Sequence, residues 1–258
     1  MFSAIFKHGE DILVCGGDFR RVSCLKLEND KWTHFNTLNT PRSEPIGVTV
    51  RNDAYLFGGT DTGHTSEILK EGSTTWQVGP DIPYDGAKYG CGTMLSENEL
   101  LLICGLMPGG GNHVLILNVD TNEWYSTSIE LNMKRKAFRC MAFNKKIVIT
   151  GGGEFLSSGI INYNLTEVID FSDGELKLRK GGDLKESRFW HGMGVILVDN
   201  VPTLISFGGM NEYRMNLVTS VEIWNDIDET WEVSETLKVD EIPMRFGFTT
   251  LPSKLVCE

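Results

Sequence analysis

The chain has 258 residues, 41% of them hydrophobic and 10% aromatic, with 24 basic against 35 acidic side chains and a formal net charge of −11. A chain of this size buries roughly 70–75% of its unfolded surface, while the acidic balance argues against nucleic acid and anionic membrane surfaces as partners, since both are held by Lys and Arg. No apolar run approaches the ~18 residues that a membrane span needs, and Met1 to His8 lacks the roughly 7–15 apolar residues of a secretory signal.

From the N-terminus onward, a short apolar run ends in glycine five times. The runs are Ile12-Leu13-Val14-Cys15, Tyr55-Leu56-Phe57, Leu101-Leu102-Ile103-Cys104, Ile147-Val148-Ile149-Thr150 and Leu204-Ile205-Ser206-Phe207, before Gly16, Gly58, Gly105, Gly151 and Gly208. The first glycines are 42, 47, 46 and 57 residues apart, and all but Gly105 are doubled. A second apolar run precedes each glycine run, from Ser3, Ile46, Tyr89, Phe138 and Trp190. Beyond the glycine a third and a fourth run are joined by a polar turn, the fourth carrying Trp32, Trp76, Trp124, Leu178 or Trp231. The bulky residue seven places earlier is Leu25, Leu69, Leu117, Phe171 or Trp224. These runs read as four short antiparallel strands, A to D, per unit. No window sustains the 3.6-residue apolar period of a helix. The chain reads as all-β: five complete four-stranded units plus a C-terminal hairpin, Phe246 to Thr250 and Lys254 to Cys257, in a single domain over 1–258. Units of this period share a core with their neighbours, as blades of a β-propeller do. The glycines fit a place where a side chain would strike the next blade and where φ is positive.

Cys15 and Cys104 stand at equivalent places in different repeats and read as small core residues of a reducing interior. The expected location is the cytoplasm, with the nucleus left open. The five histidines show no metal-ligand spacing, and the triple glycines at 109–111 and 151–153 open no helix that would cradle a phosphate. No cofactor is expected.

The doubled glycine after an apolar strand, the bulky residue seven before a Trp, and the basic opening of each unit, as in Thr40-Pro41-Arg42 and Ile242-Pro243-Met244-Arg245, together resemble the Kelch-repeat family. The resemblance spans residues 2 to 257. It implies a propeller that serves as a protein-binding scaffold or substrate receptor. It also suggests work beside a ubiquitin ligase, through another subunit, because a first repeat already under way at Ile12 leaves no room for an adaptor domain. The rival reading, a sugar enzyme, follows from a likeness to copper oxidases and sialic-acid mutarotases. The oxidase's copper ligands find no match here, whereas a mutarotase needs few fixed residues.

Strands A and B are antiparallel, so the approaches to A and the loops between B and C share one end of each unit. The approaches carry Arg42, Lys88, Arg135, Arg188 and Arg245, the first four lying 16, 17, 16 and 20 residues before their glycines. The BC loops add Arg20, Arg21, His64, His113, Phe155, Tyr163, Tyr213 and Arg214. A basic ring on an acidic protein would receive an acidic or phosphorylated segment of another protein, with Arg supplying bidentate geometry. The competing reading has these residues bonding loop carbonyls or neighbouring acids. The ring is expected to matter for binding rather than folding.

Overall fold

The computed structural model describes residues 3–17, 22–59, 62–84, 87–105, 112–211 and 216–238. The anticipated C-terminal hairpin and Arg20, Arg21, Tyr213, Arg214 and Arg245 lie outside the described residues. No helix is long and apolar enough to cross a membrane, and every element of the described residues is a strand.

Five four-stranded antiparallel sheets follow one another. The first holds β1 (Ser3–His8), β2 (Asp11–Gly16), β3 (Ser23–Glu28) and β4 (Lys31–Thr37). The second holds β5 (Ile46–Val50), β6 (Asp53–Phe57), β7 (Ser66–Leu69) and β8 (Gln77–Val78), and the third β9 (Cys91–Met94), β10 (Glu99–Ile103), β11 (His113–Asn118) and β12 (Glu123–Glu130). The fourth is built from β13 (Arg139–Phe143), β14 (Lys146–Thr150), β17 (Thr166–Asp170) and β18 (Lys177–Lys180), and a separate hairpin, β15 (Gly153–Leu156) with β16 (Gly159–Asn162), occupies its BC loop. The fifth is β19 (Gly192–Val198), β20 (Val201–Phe207), β21 (Ser220–Asn225) and β22 (Thr230–Lys238). Strand order within each sheet is chain order, so each is a meander, the A to D blade that the sequence pattern encodes.

Strand A of the third to fifth blades starts later than the apolar runs suggest, and one backbone feature explains it. Tyr89, Ala137 and Trp190 have φ of 56°, 57° and 51°, and Glu44 of the second blade has 60°. Each stands two residues before its strand. A left-handed residue cannot continue the extended ladder, and holding a non-glycine there costs about 1–2 kcal/mol, so the surrounding contacts fix these turns.

The doubled glycines work as their sequence position implies. Gly16, Gly58 and Gly151 have φ of 77°, 59° and 63°, and an added Cβ would lie 2.6, 1.8 and 2.3 Å from the carbonyl oxygens of Arg42, Ala87 and Arg188. The second glycine then donates its N–H to that same oxygen: Gly17 to Arg42 at 2.9 Å, Gly59 to Ala87 at 2.8 Å and Gly152 to Arg188 at 2.8 Å. The end of strand B is thereby stitched to the following approach.

Two compact units divide the described residues, one up to Glu130 with the first three blades and one from Leu131 with the other two. In the first unit, Phe6, Leu13, Leu56, Leu69 and Trp76 pack in one cluster, and Val48, Phe57, Leu100, Leu102 and Leu115 in another. In the second, Met141, Val148, Val168, Leu204, Trp224 and Trp231 form the main cluster. Trp231 and Trp76 are buried, with their indole N–H groups donated to Thr166 Oγ1 at 3.1 Å and Asn36 Oδ1 at 3.0 Å. Trp32 breaks the series: it is 46% exposed. The seven-residue spacing marks cross-strand partners in Leu117/Trp124 and Trp224/Trp231. In the fourth blade a turn two residues longer makes Ile169, not Phe171, the partner of Leu178.

Cys15 and Cys104 are both fully buried. The reading of Cys15 as a reduced core residue is nonetheless corrected, because β2 and β3 place it opposite Cys24, to which it is joined by a disulfide. Cys104 keeps a free thiol.

Candidate functional site

The basic approach residues do not form an open ring. Arg42, Arg135 and Arg188 are 0–1% exposed, and each meets a glutamate on strand C of its own blade. Arg42 Nε donates to Glu67 Oε1 at 3.0 Å, Arg135 Nη2 to Glu167 Oε2 at 2.8 Å and Arg188 Nη2 to Glu222 Oε1 at 2.7 Å. The glutamates also collect backbone N–H groups of the approach: Asn39 and Thr40 on Glu67, Asn132 on Glu167, Lys185 and Glu186 on Glu222. The remaining guanidinium N–H groups reach carbonyls such as Gly58 and Thr65 for Arg42, and Gly208 and Ser220 for Arg188. Burial pulls Arg135 down to about 10, opposed by Glu167. Each Arg–Glu pair is therefore a clasp that fastens an approach to its blade, and these three side chains are not presented to a partner. Their expected role in binding rather than folding is reversed by burial.

The third blade tests this reading from within. The carbonyl that receives the Gly59 N–H, the place of Arg42 and Arg188 in the neighbouring approaches, belongs to Ala87 and not to Lys88. The facing stretch of β11, Val114-Leu115, is apolar and buried. Where the arginine is missing, the glutamate is missing too. Lys88 is partly exposed, its ammonium 5.9 Å from the Tyr89 ring centroid.

A different arginine, absent from the expected set, stands out. Arg139 opens β13 opposite Thr150, and its Nη1 donates to the Phe138 carbonyl at 2.9 Å, while its buried Nε has no partner. No carboxylate offsets its burial, which pushes it down to about 10. Thr150 Oγ1 shares a hydrogen bond of 2.9 Å with Nε2 of the fully buried His191, whose Nδ1 has no partner. Burial, then Arg188, Arg139 and Arg135, hold His191 well below its ordinary 6.5, so the imidazole is neutral. At the ladder position of Arg139 and Thr150 the other blades use Ala4 and Cys15, Ile46 and Phe57, or Gly192 and Phe207. Only the fourth blade places polar groups there. That departure was legible as a threonine in the run before Gly151, the one polar residue directly preceding a first glycine.

The BC loop of the fourth blade forms the β15–β16 hairpin. Phe155 and Ile160 pack on Phe189 and Trp190, with Phe155 ring centroids 5.7 and 5.5 Å from those of Phe189 and Trp190, and Lys136 Nζ 5.7 Å from the Phe155 ring. Leu156 and Ile161, on the opposite face, are 49% and 46% exposed. At the same end, Met133, Lys134 and Leu217 are exposed, and Asn162 donates its side-chain amide to the Asn211 carbonyl. In the third blade His113 is stacked on Tyr84 and paired with Glu130 at 3.1 Å. Among the described residues no cluster of His, Cys, Asp and Glu is arranged to hold a metal ion.

No family model and no curated protein matches the chain. A solved structure described as "Structure of YjhT" is similar to it with a TM-score of 0.72 at 13% identity, covering 91% of this chain and 84% of that one. Identity this low carries the fold alone: the five four-stranded sheets are the blades of a β-propeller.

Proposed function

We propose that the chain is a Kelch-type interaction propeller that docks a segment of another protein on the hairpin end of the fourth blade. The observation that carries this reading is the β15–β16 hairpin, whose inner face is anchored by Phe155 and Ile160 and whose outer face shows Leu156 and Ile161 to solvent. A two-stranded ribbon has open edges onto which an extended peptide adds as a further strand. Aromatic and basic side chains, the usual anchors of an interface, flank it at Trp190, Lys134 and Lys136. An acidic or phosphorylated segment is the complement of that local basic character, on a protein that is acidic as a whole.

The test is affinity capture from cell lysate with the wild type and with a Leu156→Glu/Ile161→Glu variant shown by melting to be folded. Loss of a defined set of partners by the folded variant supports the reading. An unchanged set removes the hairpin as the docking surface.

A sugar enzyme is the rival, and the observation on its side is the polar Arg139–Thr150–His191 group in an otherwise apolar repeat position. Exchange of sugar anomers followed by NMR, with no metal added, decides it: catalysed exchange would replace the scaffold reading.

A further inference from the structure

The clasped arginines define what this protein does with a buried guanidinium that serves only the fold. Each is met by a carboxylate and by loop carbonyls. Arg139 receives one carbonyl, that of the residue before it, and no acid. Burying a charge without an opposite charge is expensive, and a repeat position that accepts alanine, isoleucine or glycine in other blades does not need one. A guanidinium kept there against that cost implies a charge that arrives from outside.

The neighbours fit the same conclusion. Arg139 and Thr150 are cross-strand partners, so their side chains leave the sheet on one face, and on that face Thr150 meets His191 and, at 3.7 Å, the Met193 sulfur. His191 feels the charge of Arg139 and, being neutral, repels no ligand and offers a proton on one ring nitrogen. The Nε of Arg188, buried beside the same imidazole, has no partner. Arg139 itself is only partly covered, so a ligand can reach it. The basic groups outnumber the acids, because Glu167 and Glu222 are committed to Arg135 and Arg188.

We propose that Arg139, with Thr150 and His191, forms a binding site for the oxyanion of a small molecule, a carboxylate or a phosphate. The flat fork of Arg139 receives two oxygens side by side, as guanidinium groups do for both anions, and Thr150 and His191 form the polar wall. No bond is made or broken. The site is separate from the outer face of the hairpin, so loss of one would leave the other intact.

The experiment is a titration of the purified chain with inorganic phosphate and, in a second arm, with acetate, at constant ionic strength in chloride, read by calorimetry and by melting temperature. Exclusion of phosphate from the surface raises the melting temperature of any variant without saturating, so the diagnostic signal is a saturable rise. The wild type is expected to show it with one of the two anions, phosphate alone marking a phosphate site and acetate alone a carboxylate site. Arg139→Met is expected to lose the saturable part, and Arg139→Lys, which keeps the charge without the fork, to bind roughly tenfold more weakly. In chloride alone Arg139→Met should melt no lower than the wild type, since it removes an unmatched charge. No saturable signal from either anion, an equal signal in Arg139→Met, or an Arg139→Met chain that melts lower or does not fold would each overturn the proposal. Thr150→Val, which keeps the shape and the arginine, is expected to weaken anion binding while remaining folded. Undiminished binding in that variant would also count against the site as drawn.

Discussion

Two buried arginines of the fourth blade stand four residues apart and differ in what surrounds them. Arg135 has Glu167 at 2.8 Å and the Leu165 carbonyl at 3.0 Å, whereas Arg139 has a single carbonyl. Burial lowers both to about 10. The comparison teaches that the presence of a basic residue at a repeat position says little until its acid is found. A matched guanidinium is part of the frame, and an unmatched one is held for something else.

The largest effect should come from breaking a matched pair. Glu67→Leu would leave Arg42 buried without its carboxylate and the Asn39 and Thr40 N–H groups without an acceptor. Removing one partner of a buried ion pair costs about 3–5 kcal/mol, and for a protein of this size that lowers the melting temperature by roughly 10 °C. Adding Arg42→Met to the same chain should recover about 1–2 kcal/mol, because two apolar side chains of similar volume replace a charge pair. The third blade, with Ala87 facing Val114-Leu115, shows that an apolar version of this contact is compatible with the fold. Denaturant melts of the single and double variants check both numbers. A double variant no more stable than Glu67→Leu would mean that Arg42 is not a matched structural charge, and the contrast with Arg139 would collapse.

The blades were legible because their marks are local. An apolar run that ends in two glycines reports a positive φ and a carbonyl in the way, and both are found at Gly16, Gly58 and Gly151. The clasps were not legible in the same way, because Arg and Glu are 25, 32 and 34 residues apart in the three blades that have them. Variable BC loops hide the pairing. The signal that remained was positional: Glu67 and Glu222 both stand nine residues before a tryptophan, Trp76 and Trp231, and the residue nine before Trp124 is Leu115. Lys88 was taken into the basic series by its spacing of 17, one more than the 16 of Arg42 and Arg135, and that single residue puts Ala87 in its place. Arg139 was passed over because it lies inside an apolar strand, where side-chain direction and not sequence spacing decides what it meets.

His191 offers a smaller effect and tests the unmatched side. Its pKa is lowered by burial and by Arg188, Arg139 and Arg135, so below its ordinary 6.5 the unfolded chain takes up a proton that the folded chain refuses. Stability from this group is complete above that pH and falls as the pH drops below it, at most by about 1.4 kcal/mol per pH unit for one proton. His191→Gln keeps a hydrogen-bonding group for Thr150 and removes the titration. The melting temperature of the wild type should therefore fall more steeply than that of His191→Gln between pH 7 and 5. Parallel pH profiles would show that His191 is not held neutral, and that the positive field around Arg139 is already cancelled.

The smallest effect concerns reactivity alone. Cys104 occupies in the third blade the place that Thr150 occupies in the fourth, directly before the first glycine, and its thiol is fully buried and pushed up to about 12. Only the thiolate reacts, so a thiol probe such as DTNB at pH 8 should leave Cys104 untouched in the native protein and label it once the chain is unfolded. Mass spectrometry of the labelled peptides distinguishes Cys104 from the other cysteines. Rapid labelling in the native state would mean that the position before the glycine is open to solvent in this blade. A polar residue there would then cost little, and Thr150 with its neighbour Arg139 would lose its claim to be an exception that the fold maintains at a cost.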